Sequence, residues 1–293
     1  IATTVDEWQQ TGNSAGTLKT WNNLYTLDGD MNIAGRLEHL ADGERLYSSR
    51  FMGDRGYLVT FKQVDPLFVV DLSIPSAPKV LGELKIPGFS NYLHPFDADH
   101  IIGFGQDTTE NDDGSVVTSG LKLALFDVSD VSHPVQQHSL TIGQQGSYSP
   151  LLYDHKALLF NPKTGLLGFP LSITAKKVGE DWPQEVFQGA GVYHLSLSGG
   201  FSKLAHISHA VINDPYSWHH SVQRLLTIGD SLYTLSDARI QANSLASFQL
   251  TGLLDFVIAP PPSPCDRVSA ESGASDPASI LGCPILIDPL PVQ

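Results

Sequence analysis

Positive charge is scarce in this chain: 17 Lys and Arg stand against 31 Asp and Glu, a formal net charge of −14. A surface of that sign repels DNA or RNA unless a basic stripe interrupts it, and no cluster of Lys and Arg does, so nucleic acid is not an expected partner. Long apolar runs are missing too. Nothing reaches the roughly 18 residues of a membrane-crossing helix, and no charged segment leading into a short apolar one opens the chain, so membrane insertion is not expected. The chain begins at Ile1 and not at Met, which points to a processed or trimmed piece of a longer protein. Cysteine is nearly absent, with Cys265 and Cys283 both in a Pro/Ser-rich stretch. Their spacing admits a disulfide and equally admits two free thiols, and one pair says little about redox compartment. The short catalytic signatures are also lacking: no G-x-S-x-G, no G-x-x-x-x-G-K-[ST], no H-E-x-x-H.

What is present suits strands. Hydrophobic residues make up 41% and charged residues 16%, with 26 Gly and 19 Pro, the balance of many short strands joined by tight turns. A length of 293 residues fits one large all-β domain or two smaller ones.

A repeat narrows the choice. LFVVDLSIPSAPKVLGELKIPG begins at Leu67, and LALFDVSDVSHPVQQHSLTIG begins at Leu123. Asp71 falls on Asp127, Ser73 on Ser129, Pro78 on Pro134 and Leu84 on Leu140, all at one offset. Likewise RFMGDRGYLVTF from Arg50 matches RLLTIGDSLYTL from Arg224. Gly-Asp between apolar alternations is hairpin chemistry, and the prolines after Asp71 remove ladder donors and turn the chain. One unit therefore reads as four strands, at 46–52, 57–61, 67–72 and 79–86. Further units are expected at 92–142, at 151–207 with an insertion over 161–190, and at 222–253. In the third, 151–153 and 157–160 are the expected first two strands. Upstream, 1–4, 22–28 and 32–40 read as the second, third and fourth strands of an incomplete unit. Units of about 45 to 60 residues with four antiparallel strands are the signature of a β-propeller, because each sheet has two apolar faces that only its neighbours can cover. A β-sandwich is the rival architecture, and the constant offset argues against it. The expected organisation is a propeller of four full blades plus one partial blade over 1–256, followed by a tail over 257–293.

The stretch from Arg50 to Thr108, together with GSYSPLLYDHKALLFNP and IGDSLYTLSDARIQANSL, resembles the secreted prokaryotic β-propeller family described as distantly related to WD-40 repeats. The resemblance spans about residues 1 to 256. It implies an exported protein, placed outside the cytoplasm in the periplasm or at the cell surface, with more propeller sequence upstream. It carries over no catalytic residue.

Long loops on a rigid scaffold are where function concentrates. Three are expected at 106–120, 161–191 and 208–221. The first holds Asp107, Glu110, Asp112 and Asp113, enough oxygens for Ca²⁺ but without the spacing of a recognised calcium loop, so an acidic solvated loop is the competing reading. The other two hold Trp182, Tyr216, Trp218, His219 and His220, a polar and aromatic group suited to contacting a protein or a glycan, or to covering its own blade. His206 and His209 point to opposite faces if both extend a strand, against joint zinc ligation. Gly53-Asp54, Asp99-His100, Asp154-His155 and Gly229-Asp230 are expected as equivalent turns. No catalytic residue or required cofactor is assigned. The expected role is a recognition module for a protein or a cell-surface polymer. The alternative is a hydrolase of glycans or peptides using Asp and His residues at the channel mouth.

Overall fold

The computed structural model describes residues 1–10, 16–61, 65–111, 114–211 and 217–256, and its regular structure is all strand apart from three short 3-10 turns. The first sheet holds β1 (Ala2–Gln9), β2 (Thr17–Leu27) and β3 (Ile33–Leu40). Four four-stranded sheets follow. The second sheet is β4 (Arg45–Met52), β5 (Arg55–Phe61), β6 (Asp65–Asp71) and β7 (Lys79–Ile86). The third is β8 (Phe89–Pro95), β9 (His100–Glu110), β10 (Val116–Asp127) and β11 (Val135–Ile142). The fourth is β12 (Leu159–Asn161), β13 (Leu166–Ala175), β14 (Gln184–Ser196) and β15 (Gly200–Ile207). The fifth is β16 (Arg224–Ile228), β17 (Ser231–Leu235), β18 (Arg239–Ser244) and β19 (Leu250–Asp255). Within each sheet the strands follow chain order, and each is antiparallel to the next.

Burial explains why the sheets come in series. The edge strand β4 alternates exposed and half-buried residues, whereas the interior of β5 is buried without a break, as expected of a strand covered on both faces. Tyr57 and Val59 of β5, with Leu67 and Val69 of β6, pack with Leu93, Ile101 and Phe126 of the third sheet. The intervening Leu58, Phe68 and Val70 pack with Leu24 and Leu40 of the first. The same alternation repeats onward. Phe104 and Leu123 face Leu167 and Phe169 of the fourth sheet, while Ala190 and Val192 there face Leu225 and Leu232 of the fifth. Each buried large side chain is worth roughly 1.5–3 kcal/mol, so a sheet separated from its neighbours loses most of what holds it.

The repeat is structural. Asp71 pairs with Lys79 and Asp127 with Val135, and a bulge precedes each by one residue, at Val69/Val70 and Leu125/Phe126. Each aspartate accepts the backbone N–H two residues on, from Ser73 and Ser129, both at 2.9 Å. Another equivalence runs through all four complete sheets: the residue after the third strand, or near its end, donates its N–H to the carbonyl of the turn joining the first two strands. These pairs are Leu72 to Asp54, Val128 to Asp99, Leu195 to Gly165 and Leu245 to Asp230.

That last pattern corrects two expectations. In the fourth sheet Gly165 occupies the place assigned to Asp154-His155. Residues 151–153 and 157–160 are not its first two strands; those are β12 and β13. Ser149 and Asp154 instead cap two 3-10 turns, Pro150–Leu152 and His155–Ala157, by accepting the N–H groups of Leu151 and Lys156. The expected long loops at 106–120 and 161–191 are also mostly strand. Val116 to Thr118 pair with Glu110 to Thr108, and β13 stays paired with β14 as far as Ala175 and Gln184. Polar but β-branched residues carry these hairpins beyond the core, where little burial marks them as strands.

Successive sheets also meet backbone to backbone. A Cβ on Gly82 of β7 would lie 2.4 Å from the Val131 carbonyl oxygen, in the bend between β10 and β11. Gly35 of β3 meets the Pro75 carbonyl of the next sheet in the same manner, at 2.2 Å. One sheet further on, His138 of β11 occupies the place corresponding to Gly82, and its Nε2 lies 2.8 Å from the Leu197 carbonyl oxygen between β14 and β15.

Candidate functional site

The first strands of neighbouring sheets touch, β4 against β8, and β8 reaches the 3-10 turn at Pro150–Leu152. Between them lies a pocket of about 260 Å³ lined by Arg50, Asn91, Tyr92, Tyr153 and His155, with Leu151 and Leu152. Arg50 extends from β4 and Asn91 and Tyr92 from β8, while the two capped turns before β12 supply the others. Two polar atoms here are buried without a hydrogen-bond partner among the described residues, Arg50 Nε and Asn91 Oδ1. Buried polar atoms are nearly always paired, so two orphans on one pocket are a signal. No acidic group stands within ion-pair reach of Arg50 among the described residues.

Two groups beside it are tied down. The Tyr92 hydroxyl sits 2.9 Å from His94 Nδ1. Burial, reinforced by the Arg50 charge, lowers the His94 pKa to about 4, so this imidazole is neutral near pH 7. Burial likewise raises the Tyr92 phenol above its usual value. Asp154 accepts from the Lys156 amide and from Arg224 Nη2 at 2.5 Å, and the first of these bonds leads in holding its carboxyl below the usual range. Arg224 is thereby occupied, whereas Arg50 has no ion-pair partner among the described residues.

The aromatic candidates are dispersed. Trp182 lies in the turn between β13 and β14 and is 71% exposed; Trp218, 61% exposed, lies in a 3-10 turn (Ser217–His220) that precedes β16. No ring contact joins them among the described residues, although Trp218 does pack on His219. His219 is mostly buried, with Nδ1 3.8 Å from Asp237 Oδ2, and its carbonyl accepts from Ala238. His220 depresses the pKa of nearby Asp255 after Arg239 does, which places it against the same sheet. His219 thus covers the turn between β17 and β18. Tyr216 lies outside the described residues.

The oxygen-rich loop does not converge either. Asp107 Oδ2 accepts from Thr141 at 2.7 Å, and Lys122 Nζ lies 3.8 Å from Oδ1. Glu110 is three residues further along the same strand, on the opposite face. Asp112 and Asp113 lie outside the described residues, and no group of three metal-ligating side chains occurs among those described. His206 stacks on Phe187, whereas His209 is fully buried, with Nδ1 3.0 Å from Ser236 Oγ and Nε2 2.7 Å from Thr234 Oγ1. Both ring nitrogens of His209 are occupied, and it serves the packing of the fifth sheet.

A family model described as "Beta propeller domain" matches residues 1–248. The chain belongs to that family. It is 43% identical over 172 residues to an uncharacterized protein of Methanocaldococcus jannaschii, a match covering 58% of this chain and 25% of that protein. It is 39% identical over 170 residues to an uncharacterized protein of Archaeoglobus fulgidus, covering 58% and 24%. The match thus spans about a quarter of the length of the curated relatives.

In a propeller the sheets are blades set around a central channel, and ligands commonly enter where neighbouring elements leave a cleft. The Arg50 pocket occupies such a junction. Sequence reasoning missed it because Arg50 reads as an ordinary polar position of an alternating strand and Asn91 as a strand residue of another unit. The one available signal was a cation on the first strand of a blade.

Proposed function

We propose that this chain contributes four complete blades and one of three strands to an exported β-propeller, and that it works as a rigid recognition module for another protein or a cell-surface polymer, without chemistry of its own. The observation that carries this reading is the pocket between β4, β8 and the Pro150–Leu152 turn, where Arg50 Nε and Asn91 Oδ1 are buried without partners among the described residues. A buried donor and a buried acceptor left unpaired on one pocket are groups that a bound ligand would satisfy. Trp182 and Trp218 add exposed aromatic surface of the kind that anchors larger partners. Hydrolysis of glycans or peptides is less well supported at this pocket, since a glycosidase needs two carboxyl groups flanking the bond and none of the described lining residues carries one. The nearest acid in sequence, Asp154, is tied to Arg224.

The test is to probe the chain on glycan and peptide arrays while following the probes by mass spectrometry. Binding that leaves the probes intact supports the proposal. Release of cleaved product, or no binding to any probe, overturns it.

A further inference from the structure

We infer that the Arg50 pocket receives a single carboxylate-bearing, polyhydroxylated unit, of which a hexuronic acid is the simplest example. This rests on the recognition reading above and names the ligand class for its pocket.

The chemistry follows from what the pocket leaves unsatisfied. Arg50 presents donors in a planar fork, with Nε buried and unpartnered among the described residues. A buried guanidinium N–H without an acceptor is costly, and a carboxylate can satisfy it together with a neighbouring N–H of the fork by two parallel hydrogen bonds. Among the described residues that line the pocket Arg50 is the one permanent cation, and neighbouring Arg224 is committed to Asp154. One charge matches a monoanion better than a phosphate, which carries nearly two at neutral pH. Asn91 Oδ1 is the reverse case: it is an acceptor and needs a donor. A carboxylate has none, but a hydroxyl on the same ligand supplies it. Tyr92 and Tyr153 add aromatic rings to the lining, and sugar rings pair apolar C–H faces with such rings. A volume of about 260 Å³ has room for one six-membered ring and not for a chain. The net charge of −14 opposes a long polyanion, so the acid is either a free molecule or the terminal unit of an otherwise neutral glycan.

The experiment titrates the purified chain at pH 8, where an ordinary imidazole is uncharged, with D-glucuronate, D-glucose, inorganic phosphate and a neutral oligosaccharide ending in glucuronate, by calorimetry and ligand-observed NMR. Glucuronate should bind at least tenfold more tightly than glucose or phosphate. Arg50→Gln should cost at least tenfold and Asn91→Ala several-fold, with unchanged far-UV spectra and melting. Arg50→Lys should recover only part, since the ammonium lacks the fork. Tighter binding of the oligosaccharide than of glucuronate identifies a chain end, and equal binding a free acid. The inference falls if glucose or phosphate binds as well as glucuronate, a comparison that needs no variant. It also falls if Arg50→Gln folds and leaves glucuronate affinity unchanged. Array binding of neutral glycans or peptides that ignores Arg50→Gln would sink this inference and leave the recognition reading standing, whereas cleavage of the array probes would sink the recognition reading.

Discussion

Gly82→Ala tests the way the sheets are stacked. The added Cβ would lie 2.4 Å from the Val131 carbonyl oxygen and 2.9 Å from that of Ser132, against an ordinary limit near 3.4 Å. Both atoms are backbone in the bend of the next sheet, so no side chain can swing aside; the second and third sheets must part by about an ångström locally. Forcing a methyl group into a packed site costs about 1–3 kcal/mol. The lower entropy of the unfolded alanine chain returns roughly 0.4–1 kcal/mol. A net loss of about 1–2 kcal/mol lowers the melting temperature by about 2–8 °C for a domain of this size. Differential scanning calorimetry of Gly82→Ala beside Gly29→Ala reads this directly, because a Cβ on Gly29 meets nothing within 4 Å. Equal melting of Gly82→Ala and wild type would refute close backbone stacking of neighbouring sheets.

Three further outcomes are expected. Tyr57 is fully buried and its hydroxyl has no partner among the described residues, so Tyr57→Phe should leave stability unchanged or raise it by up to about 1 kcal/mol; a clear loss in urea titration would mean that the hydroxyl is satisfied. Burial, with lesser help from Arg239 and His220, lowers the His209 pKa to about 4 from 6.5, so the unfolded chain takes up a proton that the native state refuses. Stability should be full above pH 6.5 and fall by roughly 1 kcal/mol per pH unit from there towards pH 4, with His94 adding to the slope; carboxylates such as Asp127, whose pKa is lowered chiefly by Ser129, release their contribution only below about pH 4. A flat urea midpoint between pH 7 and 5 would contradict a buried neutral His209. Trp182→Ala and Trp218→Ala remove exposed rings and should shift melting little, whereas His219→Ala should lower stability by about 1 kcal/mol because its mostly buried side chain packs beside Asp237. Equal melting of all three would place His219 on a free surface.

The second sheet could be drawn from the sequence almost to the residue, since Gly53-Asp54, the Asp71 bend and its prolines are local devices that act over two to six residues. The correspondence of Asp71 with Asp127 was readable for the same reason, and it is matched in register, bulge and hydrogen bond. The fourth sheet misled because Pro150 and two side-chain caps convert the expected first strand into 3-10 turns. The outer hairpins misled because their pairing depends on partners and not on a core face. Trp182 and the group over 216–220 read as exposed residues of two adjacent loops; Trp182 and Trp218 do stand exposed on separate turns, while His219 is turned inward.

By itself, then, the sequence determined a series of antiparallel sheets whose apolar alternation demands a neighbour on each side, because turn chemistry and two-residue periodicity are short-range properties. Only the tertiary structure decided where a ligand could be held. Arg50 and Asn91 belong to different sheets, and where β4 meets β8 one polar atom of each is buried without a partner among the described residues.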